Sequence, residues 1–294
     1  MPSSIIKKIP KFDIVKFNFL SMKTKSIISG IVLLFTIGLI YTGCKKSDKN
    51  DDKDTTAARD NSIAENAFAG IFKSIGEFSD STMQLRIGSC ATYSLSPTIL
   101  DTTTWPKTLT INFGTTNCLC ADGNYRRGII SATFSGQYRK AGTVITIGLN
   151  NYYHNNNLVQ VGTHTITNNG INLNGHLSYS IIVQNASVTT PNGMIKWNST
   201  RTREWIAGEN TNLNPWDDVY SITGSANGTG VHGNTFTVLI NSPLIVALNC
   251  KWIESGSLTL TPANLAPRIV DFGNGTCDDQ ATVTINGNVY NVTM

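Results

Sequence analysis

Between Ile195 and Trp205 the chain reads Ile-Lys-Trp-Asn-Ser-Thr-Arg-Thr-Arg-Glu-Trp. In a strand, alternation puts Ile195, Trp197, Ser199, Arg201, Arg203 and Trp205 on one face and Lys196, Asn198, Thr200, Thr202 and Glu204 on the other. Two guanidinium groups are then bracketed by two indoles. Guanidinium forks grip carboxylates and sulfates bidentately, and an indole stacks on a sugar ring. Trp197, Arg201, Arg203 and Trp205 therefore form a candidate binding face for a glycan or an anionic group. The competing arrangement, which is preferred, has the arginine stems covering the indoles by cation–π packing and pairing with Asp217 or Asp218 on the following strand.

The rest of the chemical inventory is sparse. His154, His164, His176 and His232 stand alone, in no H-x-x-x-H or H-E-x-x-H arrangement, and neither a Gly-x-Ser-x-Gly elbow nor a P-loop occurs. Isolated histidines on Asn-rich strands are expected at the surface. Asp217-Asp218 and Asp278-Asp279 offer paired carboxylates, but neither pair sits in a calcium loop and both are expected to be solvated at turns. These residues assign no catalytic side chain, no metal site and no cofactor, and the chain is read as a non-enzyme.

The elements that must position such residues follow from the periodicity. From Asp60 to Phe78 apolar residues recur at helical spacing as Ile63, Ala67, Ile71 and Ile75, with Phe68, Phe72 and Phe78 beside them. This predicts an amphipathic helix over 60–78, capped by Asp60 or Asn61, with Glu65 in its first turn. Beyond Ser81 the period becomes two. Ile130, Ala132 and Phe134 alternate, Lys140-Ala141-Gly142 turns the chain, and Ile145, Ile147 and Leu149 resume. Further alternation is expected at Leu177 to Val183 before a Pro191-Asn192-Gly193 turn, at Phe236 to Ile240, and at Leu244 to Trp252 before a Glu254-Ser255-Gly256 turn. The chain ends in strands joined at Asn286-Gly287, a pair suited to a two-residue hairpin. Successive tight turns without crossover helices predict antiparallel pairing. The expected fold is mainly β, a curved antiparallel sheet, a roll or a sandwich with one N-terminal helix, forming one domain over 60–294.

The N-terminal segment carries a different signal. Lys23 and Lys25 precede an apolar run from Ile27 to Ile40, followed by Tyr41-Thr42-Gly43-Cys44. The run is shorter than the roughly 20 residues of a bilayer span, and its basic flank matches a signal-peptide n-region. This segment resembles a bacterial lipoprotein signal peptide, with Tyr41 where that pattern prefers Leu. The resemblance implies that residues 1–43 are removed, with Met22 the natural start, and that Cys44 is acylated and becomes the first mature residue. A signal anchor is the alternative. Residues 1–43 hold six Lys and one Asp, so the mature chain keeps 17 basic and 18 acidic residues of the 23 and 19 in the whole sequence. The basicity belongs to the leader, and no clustered positive field points to nucleic acid.

Residues 44–59 read as a charged flexible tether, with KKSDKNDDKD over 45–54 too polar to bury. Such a Lys/Asp-rich stretch after the acylated cysteine, together with the Asn-, Thr- and Gly-rich body, is similar to uncharacterised lipoproteins of the Bacteroidota. That resemblance implies an outer-membrane protein displayed at the cell surface. It also implies O-glycosylation at Asp54-Thr55-Thr56, Asp80-Ser81-Thr82 and Asp101-Thr102-Thr103.

With Cys44 assigned to lipid, Cys90, Cys118, Cys120, Cys250 and Cys277 remain, and an exported protein can form disulfides. The one-residue gap of Cys118-Leu119-Cys120 is not the two-to-four spacing of a structural zinc site. Cys250 shares the parity of Leu248 and Trp252, and Cys277 follows the Phe272-Gly273 turn, so the two are expected to pair. Closing roughly 27 residues would stabilise the domain by about 3 kcal/mol. Phe113-Gly114-x-x-x-Cys118 echoes Phe272-Gly273-x-x-x-Cys277, which extends the expectation to Cys90 with Cys118 and leaves Cys120 as the odd thiol. The functions in view are a lipid-anchored cell-envelope protein that binds a glycan or protein or serves structurally, then a lipid carrier built on a curved sheet, then a hydrolase. A dry apolar lumen would favour the carrier, and exposed Trp or Tyr on a flat sheet would favour binding.

Overall fold

The computed structural model describes residues 52–79, 91–98, 101, 103–211 and 214–294. Contacts divide the chain into two compact units, 1–46 and 47–294, and every described residue belongs to the second. The leader, Cys44 and residues 45–51 of the tether lie outside the described residues.

Among the described residues one α-helix, α1 (Thr56–Ser79), precedes fifteen strands. The first half of the sheet comprises β1 (Thr92–Ser96), β2 (Lys107–Asn112), β3 (Cys118–Leu119), β4 (Tyr125–Phe134), β5 (Val144–His154), β6 (Asn157–Gln160), β7 (Thr163–Ile171) and β8 (Leu177–Thr190). The second half comprises β9 (Gly193–Ala207), β10 (Val219–Thr229), β11 (Thr235–Ala247), β12 (Ser255–Pro262), β13 (Arg268–Asn274), β14 (Gln280–Ile285) and β15 (Asn288–Thr293). All pair antiparallel in one sheet of order β1-β2-β4-β5-β6-β8-β9-β10-β11-β12-β13-β14-β15. The short β3 pairs with β4, and β7 lies alongside β6 between β5 and β8. Sequence neighbours are spatial neighbours because hairpins of this length need no crossover.

The sheet wraps the helix. Within one helical turn, Gly70 meets Arg126 of β4, Phe72 packs edge-on against Tyr220 of β10 at 4.9 Å, and Lys73 bonds the Cys250 carbonyl just beyond β11. In a flat sheet β4 and β11 would lie six strand spacings apart, about 29 Å, whereas a helix is about 10–12 Å across. The sheet must therefore curl around α1. Between Thr56 and Gly76 only Arg59 is exposed. Alternation along the strands turns Leu109, Ile111, Ile130, Ala132, Ile145, Ile147, Leu258, Leu260, Val283 and Ile285 inward to the core and leaves Thr, Ser and Asn outside.

The helix begins four residues before the expected start. Thr56, Ala57 and Ala58 continue it toward the N-terminus, and its first amide is met by Asp54, whose Oδ1 accepts from Thr56 N at 2.8 Å. Asp60 and Asn61 are not caps. They lie a turn further in, where Asp60 Oδ2 accepts from Val231 N at 2.9 Å and Asn61 Oδ1 accepts from Trp197 Nε1 at 3.1 Å. The end of the expected tether is likewise fixed, since buried Asp52 pairs with Arg268 of β13 at 2.8 Å. Of the proposed glycosylation motifs, Asp54-Thr55-Thr56 leads into the helix start, all of Asp80-Ser81-Thr82 lies outside the described residues, and so does Thr102.

The β4–β5, β8–β9 and β14–β15 hairpins form as expected. Asn286 and Gly287 have φ of 51° and 81°, the two positive values that a tight two-residue hairpin turn requires. Phe236–Ile240 and Leu244–Val246 are not separate strands. They belong to a single β11 whose register against β12 shifts twice, between Ile240 and Ile245. Cys250 and Trp252 fall in the turn after it, and Ser255 opens β12 instead of ending a hairpin. Bulges insert unpaired residues without breaking the strand, and because exposed Asn241, Ser242 and Pro243 interrupt two apolar runs of the same parity, one strand reads as two. The Phe-Gly echo is structural: Asn112 Oδ1 accepts from Gly114 N at 2.8 Å, and Asp271 Oδ1 accepts from Gly273 N at 2.9 Å.

Candidate functional site

Every expected inward residue of β9 points inward. Ile195, Trp197, Ser199, Arg201, Arg203 and Trp205 are all buried, and their register against β8 and β10 is unbroken from Ser199 to Arg203 on the β8 side. Trp197, Arg201 and Arg203 therefore face the helix, Trp205 is buried against Tyr220, and none offers an open surface for a sugar.

Cation–π packing organises the face, with different charge partners from those expected. Arg201 pairs with Glu65 of α1 and lies 5.8 Å from the Trp197 ring, which itself stacks on Phe68 at 5.1 Å. Arg203 has 0 % exposure. Its guanidinium carbon lies 3.3 Å over Phe72, 4.7 Å from Tyr179 and 4.9 Å from Tyr220, and its Nη2 donates to the Tyr138 hydroxyl at 3.1 Å. The acidic pair at 217–218 is engaged elsewhere. Asp217 accepts from the Thr211 hydroxyl at 2.9 Å, and Asp218 accepts from the Tyr220 hydroxyl at 3.3 Å. Trp205 lies 4.6 Å beneath Arg139.

Two histidines are buried, against expectation. His164 on β7 has the parity of Ile166 and packs edge-on against Phe68 at 5.5 Å; burial first, and the Arg203 charge second, pull its pKa down to about 3. His154 on β5 has the parity of Tyr152, and burial followed by the Arg126 charge brings its pKa to about 3 as well. Counting by twos from Ile166 and Tyr152 would have found both. His176 is half-buried and His232 exposed.

A second polar cluster lies where α1 passes β4. Arg126 donates to both oxygens of Asp122, at 2.7 Å and 2.5 Å, and Nη2 reaches the Gly70 carbonyl at 3.4 Å. Burial pushes the Asp122 carboxyl up, but Arg126, Asn124 and Lys73 outweigh it and hold the group well below the usual carboxylate range. Burial raises the Tyr152 phenol to about 12. Both Arg126 and Asp122 were missed in the sequence, where a loop Asp four residues before an Arg at the start of a strand carries no distinguishing signal.

Cys250 and Cys277 form a disulfide with Cα atoms 5.7 Å apart. Glu254 lies beside them, but the bridged sulfurs leave no thiolate there for a metal. Cys118 is a free thiol, and its expected partner Cys90 lies outside the described residues. Asp278 and Asp279 serve the local turn, with Asp278 Oδ1 accepting from Gln280 N at 2.9 Å.

Two kinds of space remain. Between α1 and the sheet is a cavity of about 50 Å³, lined by Phe68, Phe72, His164, Trp197, Ser199, Arg201 and Arg203 among others. On the sheet's outer side a groove of about 420 Å³ is lined by Asn112, Arg127, Asn150, Asn151 and Tyr153. There Arg127 stacks 3.5 Å over the Tyr153 ring and donates to Asn117 Oδ1 at 2.6 Å. Among the described residues no helix is long and apolar enough to cross a membrane. No protein family matches this chain, and no match to it was found among curated proteins or solved structures.

Proposed function

We propose that this chain is a lipid-anchored cell-envelope protein with a non-catalytic binding or structural role, held to the membrane through acylated Cys44. The resemblance of its leader and of residues 45–54 to Bacteroidota lipoproteins supports an outer-membrane location with surface display. The mature chain's near-neutral charge supports a partner other than nucleic acid.

The observation that carries this reading over the lipid carrier is the occupancy of the concave face. A carrier needs a lumen, and ligand pockets commonly measure roughly 300–1,000 Å³. Here α1 fills the curl and leaves about 50 Å³. What faces outward is better suited to a partner. Ile182, Leu239, Ile269 and Val289 are exposed and fall in one cross-strand row, linked in register through Thr200, Ser225, Thr259 and Thr284. The Asn-lined groove with Tyr153 beside Arg127 adds polar donors suited to a glycan. A non-catalytic role is supported by the engagement of carboxylates inside the fold, since Asp52, Glu65 and Asp122 are each paired with an arginine, Asp60 with the Val231 amide and Asp218 with the Tyr220 hydroxyl.

Organic extraction of a purified Cys44→Ser protein, followed by lipid mass spectrometry, separates the two readings. The binding or structural reading expects no stoichiometric lipid. One bound lipid per chain in the unanchored protein would establish the carrier.

A further inference from the structure

We infer that the cavity between α1 and β7–β9 is a binding site for a small inorganic anion of halide size, held by Arg201, Arg203 and Ser199. Three observations converge on it. The first is charge. Arg201 and Arg203 are buried at 4 % and 0 % exposure, and a buried charge is costly unless compensated. Glu65 compensates Arg201. No carboxylate among the described residues pairs with Arg203.

The neighbours cannot supply the missing negative charge. Burial raises the phenols of Tyr179 and Tyr220 beyond their ordinary range, which keeps both protonated. Asp218 is occupied by the Tyr220 hydroxyl. His164 is neutral at ordinary pH. The ring faces of Phe72, Tyr179 and Tyr220 soften the charge of Arg203 without cancelling it.

The second observation is donors without partners. Arg201 Nε and Nη1, Arg203 Nε and Nη1, and Ser199 Oγ are buried and make no hydrogen bond, and the same is true of His164 Nδ1. Buried polar atoms are overwhelmingly satisfied in folded proteins. All four residues line one cavity. The third is size. About 50 Å³ admits a monatomic ion or a few waters and excludes an ordinary organic ligand. An anion there would satisfy several donors at once and balance Arg203, which neutral water does only in part.

The test uses the folded Cys44→Ser protein, refolded in sodium gluconate and then titrated with sodium chloride or bromide at constant ionic strength. The melting temperature is expected to rise with halide and saturate, as binding to the native state alone requires, whereas sulfate, acting by exclusion from the surface, should raise it without saturating. Crystals grown in bromide should show an anomalous peak within hydrogen-bond distance of Arg203 and Ser199. Arg203→Met should abolish the halide response. If that variant does not fold, Ser199→Ala, which keeps both charges, should raise the half-saturating halide concentration several-fold. A melting temperature that does not rise and saturate with either halide, or a cavity holding only water in the bromide crystal, overturns the inference. Neither result bears on membrane anchoring or on the lipid-extraction experiment.

Discussion

Arg268 Nη2 on β13 donates to Asp52 Oδ1 at 2.8 Å, although 216 residues separate them in sequence. The same carboxylate's second oxygen accepts from Ala266 N at 3.2 Å, and Arg268 Nε donates to the Asp54 carbonyl at 3.1 Å. The pair closes the polar seam that begins here and runs along α1 through Asp60, Asn61, Glu65, Gly70 and Lys73. Breaking a buried pair strands its partner's charge, so Asp52→Ala is expected to cost about 3–5 kcal/mol. Replacing both members, Asp52→Leu with Arg268→Met, should cost clearly less than the sum of the single changes. Urea unfolding of the four proteins measures the coupling, and strict additivity would show that the pair does not fix the helix start.

Gly70 and Gly76 should answer oppositely to alanine. A Cβ on Gly70 would lie 2.7 Å from His154 Nε2 and 3.1 Å from Arg126 Nη2, whereas one on Gly76 would find nothing nearer than 3.6 Å. Gly-to-Ala in a helix interior is worth up to about 1 kcal/mol in favour of the folded state when there is room. Gly76→Ala should therefore raise the melting temperature. Gly70→Ala should lower it, by about 1–3 kcal/mol of overpacking, and His154→Ala in the same chain should recover part of the loss. Equal effects at the two glycines would mean that the helix does not press against β5.

Acid should unfold the domain early. His154 and His164 have folded-state pKa values of about 3 against an unfolded value of 6.5. A depressed histidine costs nothing above the unfolded pKa, where both states are neutral. As pH falls through 6.5 the unfolded chain takes up protons that the folded chain refuses, and stability falls until the folded groups titrate near pH 3. Each group contributes a slope of about 1.4 kcal/mol per pH unit inside that window. Urea unfolding from pH 8 to pH 4 should show stability flat above about pH 7 and steeply falling below about pH 6. His164→Gln should remove roughly half of the slope between those limits, and a wild-type profile flat to pH 4 would refute the burial of the two rings.

The disulfide closes a loop of 27 residues, worth about 3–4 kcal/mol by loop-closure entropy. Reduction, or Cys250→Ala with Cys277→Ala, should lower stability by that order without altering the native sheet. Non-reducing peptide mapping of exported protein should recover Cys250 joined to Cys277.

Palmitate labelling with membrane fractionation addresses the anchor. Cys44→Ser should release the protein from the membrane fraction and abolish labelling, because acyl chains and not the apolar run of the leader are proposed to hold it. A variant that still sediments with membranes and keeps its leader would indicate a signal anchor.

The parts legible in the sequence are those governed by local rules. The inward face of β9 followed from alternation alone, and the β14–β15 turn followed from Asn286-Gly287. The Cys250–Cys277 bridge followed from parity plus a turn. What escaped depends on distant partners. Alternation puts Arg201 on the inner face but cannot name Glu65 as its partner, because that choice is made by how far the sheet curls. The helix start was hidden because Thr56, Ala57 and Ala58 carry no apolar period, and β11 was split because the exposed stretch Asn241-Ser242-Pro243 interrupts its alternation. His154 and His164 looked like surface residues only because their Asn-rich surroundings outweighed the parity they share with Tyr152 and Ile166.

The central claim is that α1 is a permanent core element filling the curl of the sheet. Native-state hydrogen exchange read by mass spectrometry tests it most directly. Peptides covering Ala64 to Ile75 should exchange as slowly as those of β8 to β10, opening only with global unfolding. Exchange in the helix several orders of magnitude faster than in those strands, with the sheet still native, would contradict the account: α1 would then be a detachable lid over a lumen able to receive a ligand.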